Sequence, residues 1–515
     1  MLLDKYLKKS NKAPQSDRVH SSVIEHQNIS EEIATNLETI ERSIGKPDDL
    51  VVKQINNNGQ AIAAVVYLAS LADGHLIASN VVKPISKFTQ VNDGGLDVRI
   101  TELLLLSAKI ERYSNLHKAI EGLLSGETLI FLAAANEVLT VSFPGYPRRM
   151  IEEPKERVVR GPREGFIEDL TDNLSLVRRY IKDPNLRIDA KHIGERTKTK
   201  VAIVYLNDVV NPDIVGEVHK RLEQINIDGI LDSSYIMELI ADNKLTPFPL
   251  LQSTERPDKV ASALLEGRVA LIVDRSPFAL IAPVTATELY QSPEDFYFNY
   301  WVGTFLRIIR AIGTLISIVL PGLYVSAVAI NPEILPASVV LVLASGRTTV
   351  PFSVIVEMLV VLITFEVFRE AILRVPKGVD IILGVAGGIL LGWSATQAGV
   401  VSGATLAVMV ITVLATFATA DQEIEQAWRL VRYFLLLGGA ALGVPGLVLT
   451  GTIVLAHLSG LKSFGVSYLA PWSPPLPVDM IDAYFRIPWW ASFRRPPMYR
   501  PQQEDRLNSD QGDEE

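Results

Sequence analysis

From Phe305 onward, three long stretches of this chain contain no Asp, Glu, Lys or Arg: Ala311–Pro332, Ile381–Ala420 and Tyr433–Leu461. A helix rises 1.5 Å per residue, so about 20 apolar residues cross a hydrocarbon core about 30 Å thick. The first and third runs are each long enough for one crossing and the second for two. A single such run could be a buried helix of a large soluble core, but three of them argue for a membrane. The overall charged fraction of 21% hides this split, because only 16 charged residues fall between Phe305 and Gly460. The chain therefore divides into a soluble N-terminal half and an apolar bundle over residues 305–462.

Composition removes several alternatives. With no cysteine, the chain can form no disulfide, iron–sulfur cluster or thiolate zinc site. A net charge of −9 argues against nucleic acid as a partner. The first nine residues turn polar after Leu3 and offer no apolar leader, so the soluble half is expected on the cytoplasmic side. Arg307 and Arg310, just before the first apolar run, favour the same orientation.

The soluble half contains a repeat. After a polar arm over residues 1–54, the segment Ala61–Leu68 has the composition of a buried strand, and a helix ends at Leu123-Leu124-Ser125-Gly126. A hairpin follows, Thr128–Ala134 and Val138–Phe143. The same order returns with the strand Val201–Leu206, a helix opened by Asn211-Pro212, the segment Leu264-Leu265-Glu266-Gly267, and a hairpin Val269–Asp274 and Phe278–Ile281. Two related α/β subdomains are expected, at 55–147 and 166–285, joined by a linker over 148–165 and followed by a connector over 286–304. The proline- and arginine-rich linker suits either a solvated connector or a clamp built on arginine forks.

The soluble half has no phosphate-binding loop, dinucleotide fingerprint, His-Glu-x-x-His or Gly-x-Ser-x-Gly, and its histidines stand singly. Without a nucleophile–base pair or ligand cluster, an enzyme is not expected, nor is a metal or cofactor.

In the apolar half, residues 334–346 are too short to cross and lead into Arg347-Thr348-Thr349-Val350-Pro351-Phe352. Such an interruption at membrane depth is tolerated where protein or a water-filled cavity covers the backbone, as at the working centre of channels and transporters. Glu357 follows in an otherwise apolar helix, and facing lipid it would cost roughly 3 kcal/mol or more. It is either a structural carboxylate paired with Arg347 or part of an aqueous path. Arg347, Val350, Pro351 and Glu357 are the pore or gating candidates. Glu366, Arg369, Glu370 and Arg374 share one helical face and are expected to pair along it at a membrane exit. The 40-residue run turns near Ala398–Gly403, and Gly443-Val444-Pro445-Gly446 breaks the last run. Five spans leave the C-terminus outside, whereas the arginines of the tail argue for inside. One more crossing, the 334–346 piece or a hairpin at Pro445, would reconcile them. The tail over 463–515, rich in proline and tryptophan, is expected to be interfacial and disordered.

Several segments resemble the A subunit of the GerA family of spore germination receptors. They include Phe143–Arg149, Val158–Phe166, Ile193–Lys200, Pro247–Pro249, Thr254–Val260, Leu264–Val269, Ser292–Asp295, Val367–Ala371 and Arg495–Pro497. The paralogous stage V sporulation protein AF shares a similar Val-Val-Arg-Gly stretch, but Thr254–Asp258 and Arg495–Pro497 look more like the receptor subunit. The resemblance implies an inner-membrane protein of dormant spores. There it would work with a transporter-like B subunit and a lipoprotein C subunit, and its own copies would form an ion-conducting ring. Arg160, Arg163, Glu255, Arg256 and Asp258, in these segments, are the candidates for inter-domain or inter-subunit contact. The fold class expected is a multidomain membrane protein: an N-terminal α/β half of two related subdomains and a C-terminal all-α polytopic transmembrane bundle.

Overall fold

The computed structural model describes residues 28–57, 60–86, 110–144, 154, 156, 158–376 and 379–506. The start of the polar arm, linker residues 145–153 and the acidic tail over 507–515 lie outside them.

The N-terminal half is α/β with two five-stranded antiparallel sheets. The first unit contains α1 (Ile33–Ile44), β1 (Leu50–Asn57), β2 (Gln60–Leu68), β3 (Ile110–Tyr113), α2 (Leu116–Leu124), β4 (Glu127–Leu132) and β5 (Val138–Ser142). The second contains α3 (Leu170–Tyr180), β6 (Leu186–Ile193), β7 (Thr199–Leu206), α4 (Pro212–Glu223), α5 (Ser233–Ile240), β8 (Gln252–Thr254), α6 (Pro257–Leu265), β9 (Val269–Val273) and β10 (Ala279–Ala282). The strand orders are β1-β2-β4-β5-β3 and β6-β7-β9-β10-β8, the same order in both.

The correspondence extends to register. Val66 lies opposite Leu129, and Val204, 138 positions after Val66, lies opposite Ala270, 141 positions after Leu129. Each Leu-Leu-x-Gly closes a helix. The Gly126 and Gly267 amides each donate to a carbonyl three residues back, at 3.0 Å, with φ of +97° and +86°, a conformation glycine adopts without penalty.

α1 falls in what the sequence suggested was a polar arm, yet it belongs to the first core. Ile33, Leu37, Ile40 and Ile44 recur on one helical face and pack against Val66, Leu129 and Phe131. Leu170, Leu174, Val177 and Ile181 do the same on α3. A buried asparagine ties the start of each helix. Asn36 Oδ1 accepts from the Ser30 amide (2.9 Å) while its Nδ2 donates to the Ser30 carbonyl (2.7 Å). Asn173 does likewise with Ile167, at 2.8 and 2.6 Å.

Polar contacts of Asp48 and Asp49 join the units. The Asp48 amide donates to the Ile188 carbonyl on the outer edge of the second sheet (2.9 Å). Arg178 donates to both carboxylate oxygens of Asp49, at 2.6 and 2.7 Å, with both side chains buried.

The C-terminal half is helical: α7 (Tyr300–Val325, extended by a π turn Ser326–Ile330), α8 (Ala337–Ser345), α9 (Val354–Leu373), α10 (Val379–Gln397), α11 (Gly403–Thr416) and α12 (Gln422–Gly460). Among the described residues, Tyr300–Ile330 and Gln422–Gly460 are long and apolar enough to cross a membrane. α12 does not run straight. Gly443 has φ 68° and ψ −148°, and a Cβ on Gly438 would come within 2.4 Å of Thr450 Cγ2. Twelve residues of continuous helix would separate those positions by about 18 Å. The chain therefore reverses at Gly443, and Leu458 returns to the cluster holding Ile424, Ala427 and Val431. Gly322 of α7 faces Leu447 and Leu435, and Gly439 faces Ser326. These small residues let the three segments approach closely.

That reversal brings the tail back to the soluble half. Instead of lying disordered, residues 462–506 pack on the second α/β unit. Ser463 Oγ donates to the Leu250 carbonyl (2.7 Å) and the Gln502 amide to the Val209 carbonyl (2.9 Å), and Tyr468 and Tyr499 are buried. The prolines shape a tail that docks through long-range contacts, which local sequence does not display.

Candidate functional site

The interrupted element lies between α8 and α9. Arg347 closes the end of α8, and its Nη2 donates to the Phe352 carbonyl at 3.0 Å. The same nitrogen sits 2.8 Å from Glu357 Oε1 in the first turn of α9. The other Glu357 oxygen accepts from the Ser402 amide (3.1 Å) and Thr405 Oγ1 (2.9 Å) at the start of α11. Tyr324 Oη lies 3.1 Å from Thr405 Oγ1 and extends the network to α7. Glu357 is buried, while Val350 is half-buried and Pro351 exposed on the connecting turn. A carboxylate with one cation and two donors is compensated, so the pairing with Arg347 is realised and the desolvation cost is offset. Beside it, Val328, Pro332, Leu335, Val340, Leu343, Ala344 and Arg347 line an apolar cavity of about 260 Å³.

α8 carries only apolar and small residues, and none is buried; Leu341 and Val342 are 70% and 69% exposed. Such a surface has no stable place in water.

Farther along α9, only Glu370 and Arg374 pair along the helix (2.6 Å). Glu366 and Arg369 reach across to α12 instead, meeting Arg429 and Glu425 at 2.8 and 2.7 Å. Where α12 packs against α9, a cross-helix partner in a half-buried seam replaces the local one.

The second set of candidates meets where the second unit joins the helices. Arg256 and Asp258 are buried and paired with each other (2.7 Å). Arg256 also donates to the carbonyls of Glu156 and Pro162 (3.2 and 3.1 Å), which fixes the described end of the linker to α6. The buried Glu255 accepts the Phe166 amide through its carbonyl (2.7 Å). Arg160 and Arg163 are both exposed. Tyr297, on the connector, donates its hydroxyl to Asp258 (2.5 Å), and burial together with that carboxylate holds its pKa above the usual phenol value. The structure brings Arg256 and Asp258 together within the chain and leaves Arg160 apart from them.

Several anchoring residues were not singled out from sequence. Lys259 faces Glu156 at 3.4 Å and Asp421, the N-cap of α12, at 4.0 Å. Burial disfavours its ammonium, but these carboxylates outweigh burial and raise its pKa. The buried Asp295 accepts from Arg307 (3.1 Å) and from Arg310 (3.1 and 3.2 Å), clamping the connector to the base of α7. Arg432 is buried with the Ser317 carbonyl and Thr416 Oγ1 as acceptors, both at 2.7 Å. The charge of Arg432 beside an apolar run was a signal; the partners, over 100 residues away for Ser317, were not.

Fold and site together define a two-part protein: like-ordered α/β sheets bolted by buried ion pairs to a helical half whose apolar surface is suited to a membrane. The model of the Bacillus/Clostridium GerA spore germination protein family matches residues 38–498, and the chain belongs to that family. It is 36% identical to spore germination protein KA of Bacillus subtilis (strain 168) over 486 residues, 94% of this chain and 89% of that protein. To stage V sporulation protein AF of the same organism it is 32% identical over 379 residues, 73% of this chain and 76% of that one. The crystal structure of the N-terminal domain of the A subunit of the Bacillus megaterium spore germinant receptor GerK3 is 34% identical, covers 50% of this chain and 96% of that one, and has a TM-score of 0.40. Membership of this family supports a role in spore germination.

Proposed function

We propose that this chain is the A subunit of a nutrient germinant receptor in the spore inner membrane, with its soluble half cytoplasmic. Several copies form a ring through which ions leave when a germinant binds to the B subunit, and a C subunit completes the complex. The observation that carries this reading is the Arg347–Glu357 pair, a buried charge at an interrupted helical element beside an α8 in which no residue is buried among the described residues. In a ring, neighbouring copies would cover α8, and the Arg347–Phe368 element would line the path. α7, α9, α10, α11 and the two arms of α12 give six crossings, with the tail on the side of the soluble half. Within the soluble half, matched strand order, register and asparagine ties favour duplication of one ancestral unit.

The test is ion release from germinating spores carrying Glu357→Ala or Val350→Ala. Altered rate or threshold is expected; release unchanged in both would remove the element from the conduction path. Two alternatives predict other results. A non-conducting scaffold gives no currents of its own, and a secondary transporter moves solute with saturation kinetics and no unitary steps.

A further inference from the structure

The described tail contains a helix whose amphipathicity is inverted for a protein in water. In α13 (Pro477–Tyr484), the polar side turns toward the protein. Asp482 lies 3.8 Å from Arg307 at the base of α7, its Oδ1 accepts the Ile487 amide (2.9 Å), and its carbonyl accepts from Arg307. The opposite side shows Ile481, Tyr484 and Phe485 to the outside. Arg486 then pins the segment, donating through its amide to Thr304 Oγ1 (3.1 Å) and through Nη1 to the Phe298 carbonyl (2.7 Å). Beyond it, Trp489 and Trp490 are exposed by 53% and 66%; on the first turns of α7, either side of the Thr304 that Arg486 meets, Trp301 and Phe305 are exposed by 69% and 61%. Phe296 lies 5.7 Å from Trp489, so the aromatic groups of two segments more than 170 residues apart form one patch.

A soluble protein seldom leaves so many large aromatic side chains exposed together. Tryptophan, with an apolar ring and one N–H donor, is most stable where hydrocarbon meets headgroups. Trp301 and Phe305 come shortly before the charge-free run that starts at Ala311, where such a layer would meet α7 if α7 crosses a bilayer. We infer that residues 477–490, with Trp301 and Phe305, form an in-plane anchor that rests in the interfacial layer of the phospholipid bilayer on the side of the soluble half. The inference rests on α7 being a membrane span. The anchor is bonded to Arg307 and to the connector, so displacement of the bilayer surface is passed to the base of the first span and to the second α/β unit.

The test uses the full-length protein in phosphatidylcholine nanodiscs containing a headgroup-nitroxide lipid, with tryptophan emission as the readout. The wild type is compared with Trp489→Phe/Trp490→Phe, with either single variant serving if the pair fails to fold, and with Trp393→Phe. Of the six tryptophans, Trp301, Trp489 and Trp490 belong to the anchor; the double variant removes two of these three, so the lipid-quenched component is expected to shrink in it. Acrylamide in the aqueous phase should quench that component weakly. Equal quenching in wild type and double variant overturns the anchor. The Trp393 component separates the two readings: if it is quenched while Trp489 and Trp490 are not, only the anchor fails. If no tryptophan responds to lipid nitroxide, both the spanning reading of the helical half and the anchor that depends on it fail.

Discussion

Glu357 and Arg347 face each other across the broken element, Oε1 to Nη2 at 2.8 Å, with the carboxylate out of contact with water. Removing one partner of a buried pair leaves an uncompensated charge and costs about 3–5 kcal/mol. Glu357→Ala and Arg347→Ala are each expected to lower the melting temperature of the detergent-solubilised protein. The double variant should be less destabilised than the sum of the two. Additive losses in this double-mutant cycle would show that the pair is not coupled.

The reversal of α12 depends on Gly443. Its φ of 68° with ψ of −148° lies in a region almost confined to glycine, and a Cβ there would meet Asn331 Oδ1 at 1.9 Å. Gly443→Ala should cost about 1–3 kcal/mol in backbone strain alone and loosen docking of the tail. Faster proteolysis of residues 462–506 in the variant would support this; an unchanged digestion pattern and melting curve would not.

How far this was legible in the sequence depends on the range of each contact. The Gly443–Gly446 break was visible as a break, because glycine and proline weaken helices locally. Its direction depends on Gly438 lying against Thr450 and Gly439 against Ser326, and no local pattern shows that. α1 shows the opposite case: Ile33, Leu37, Ile40 and Ile44 carry the helical period, but the polar outer face made the segment read as an arm and not as part of the first core. Arg347 was identifiable as a partner for Glu357 because only nine uncharged positions separate them, whereas Ser402 and Thr405 approach from another helix.

The matched asparagines give a test of the two α/β units. Each side chain satisfies a backbone amide and carbonyl in a buried corner, so Asn36→Ala and Asn173→Ala should each cost about 1–3 kcal/mol. Hydrogen exchange should show the loss confined to the unit that carries the substitution. Loss of protection in both units from either variant would mean that they unfold as one body.

Asp49→Asn tests the contact between the units. The buried Arg178 would lose its counter-charge, and destabilisation of about 3–5 kcal/mol is expected. Replacing both residues with Asp49→Leu/Arg178→Met should recover part of that loss. A melting temperature equal to wild type in Asp49→Asn would exclude a structural role for the pair.

The anchor of the tail should respond to pH. Burial, and then the nearby carboxylates of Asp482 and Glu288, push Asp479 from an ordinary 3.8 up to about 6. The folded state therefore favours the protonated form. Its contribution to stability is full below pH 3.8 and is lost as pH rises through about 6. Amides of residues 477–486 should exchange more slowly at pH 5.5 than at pH 7.5, after correction for intrinsic rates, and Asp479→Asn should narrow the difference. The opposite sign would contradict the burial of this carboxyl.

Conduction is the central claim, and planar-bilayer recording of the purified protein tests it most directly. Discrete unitary currents are predicted, with amplitude or gating altered by Val350→Ala and by Glu357→Ala. A protein that inserts into the bilayer, retains its α/β units and gives no unitary current under any applied potential would contradict the account.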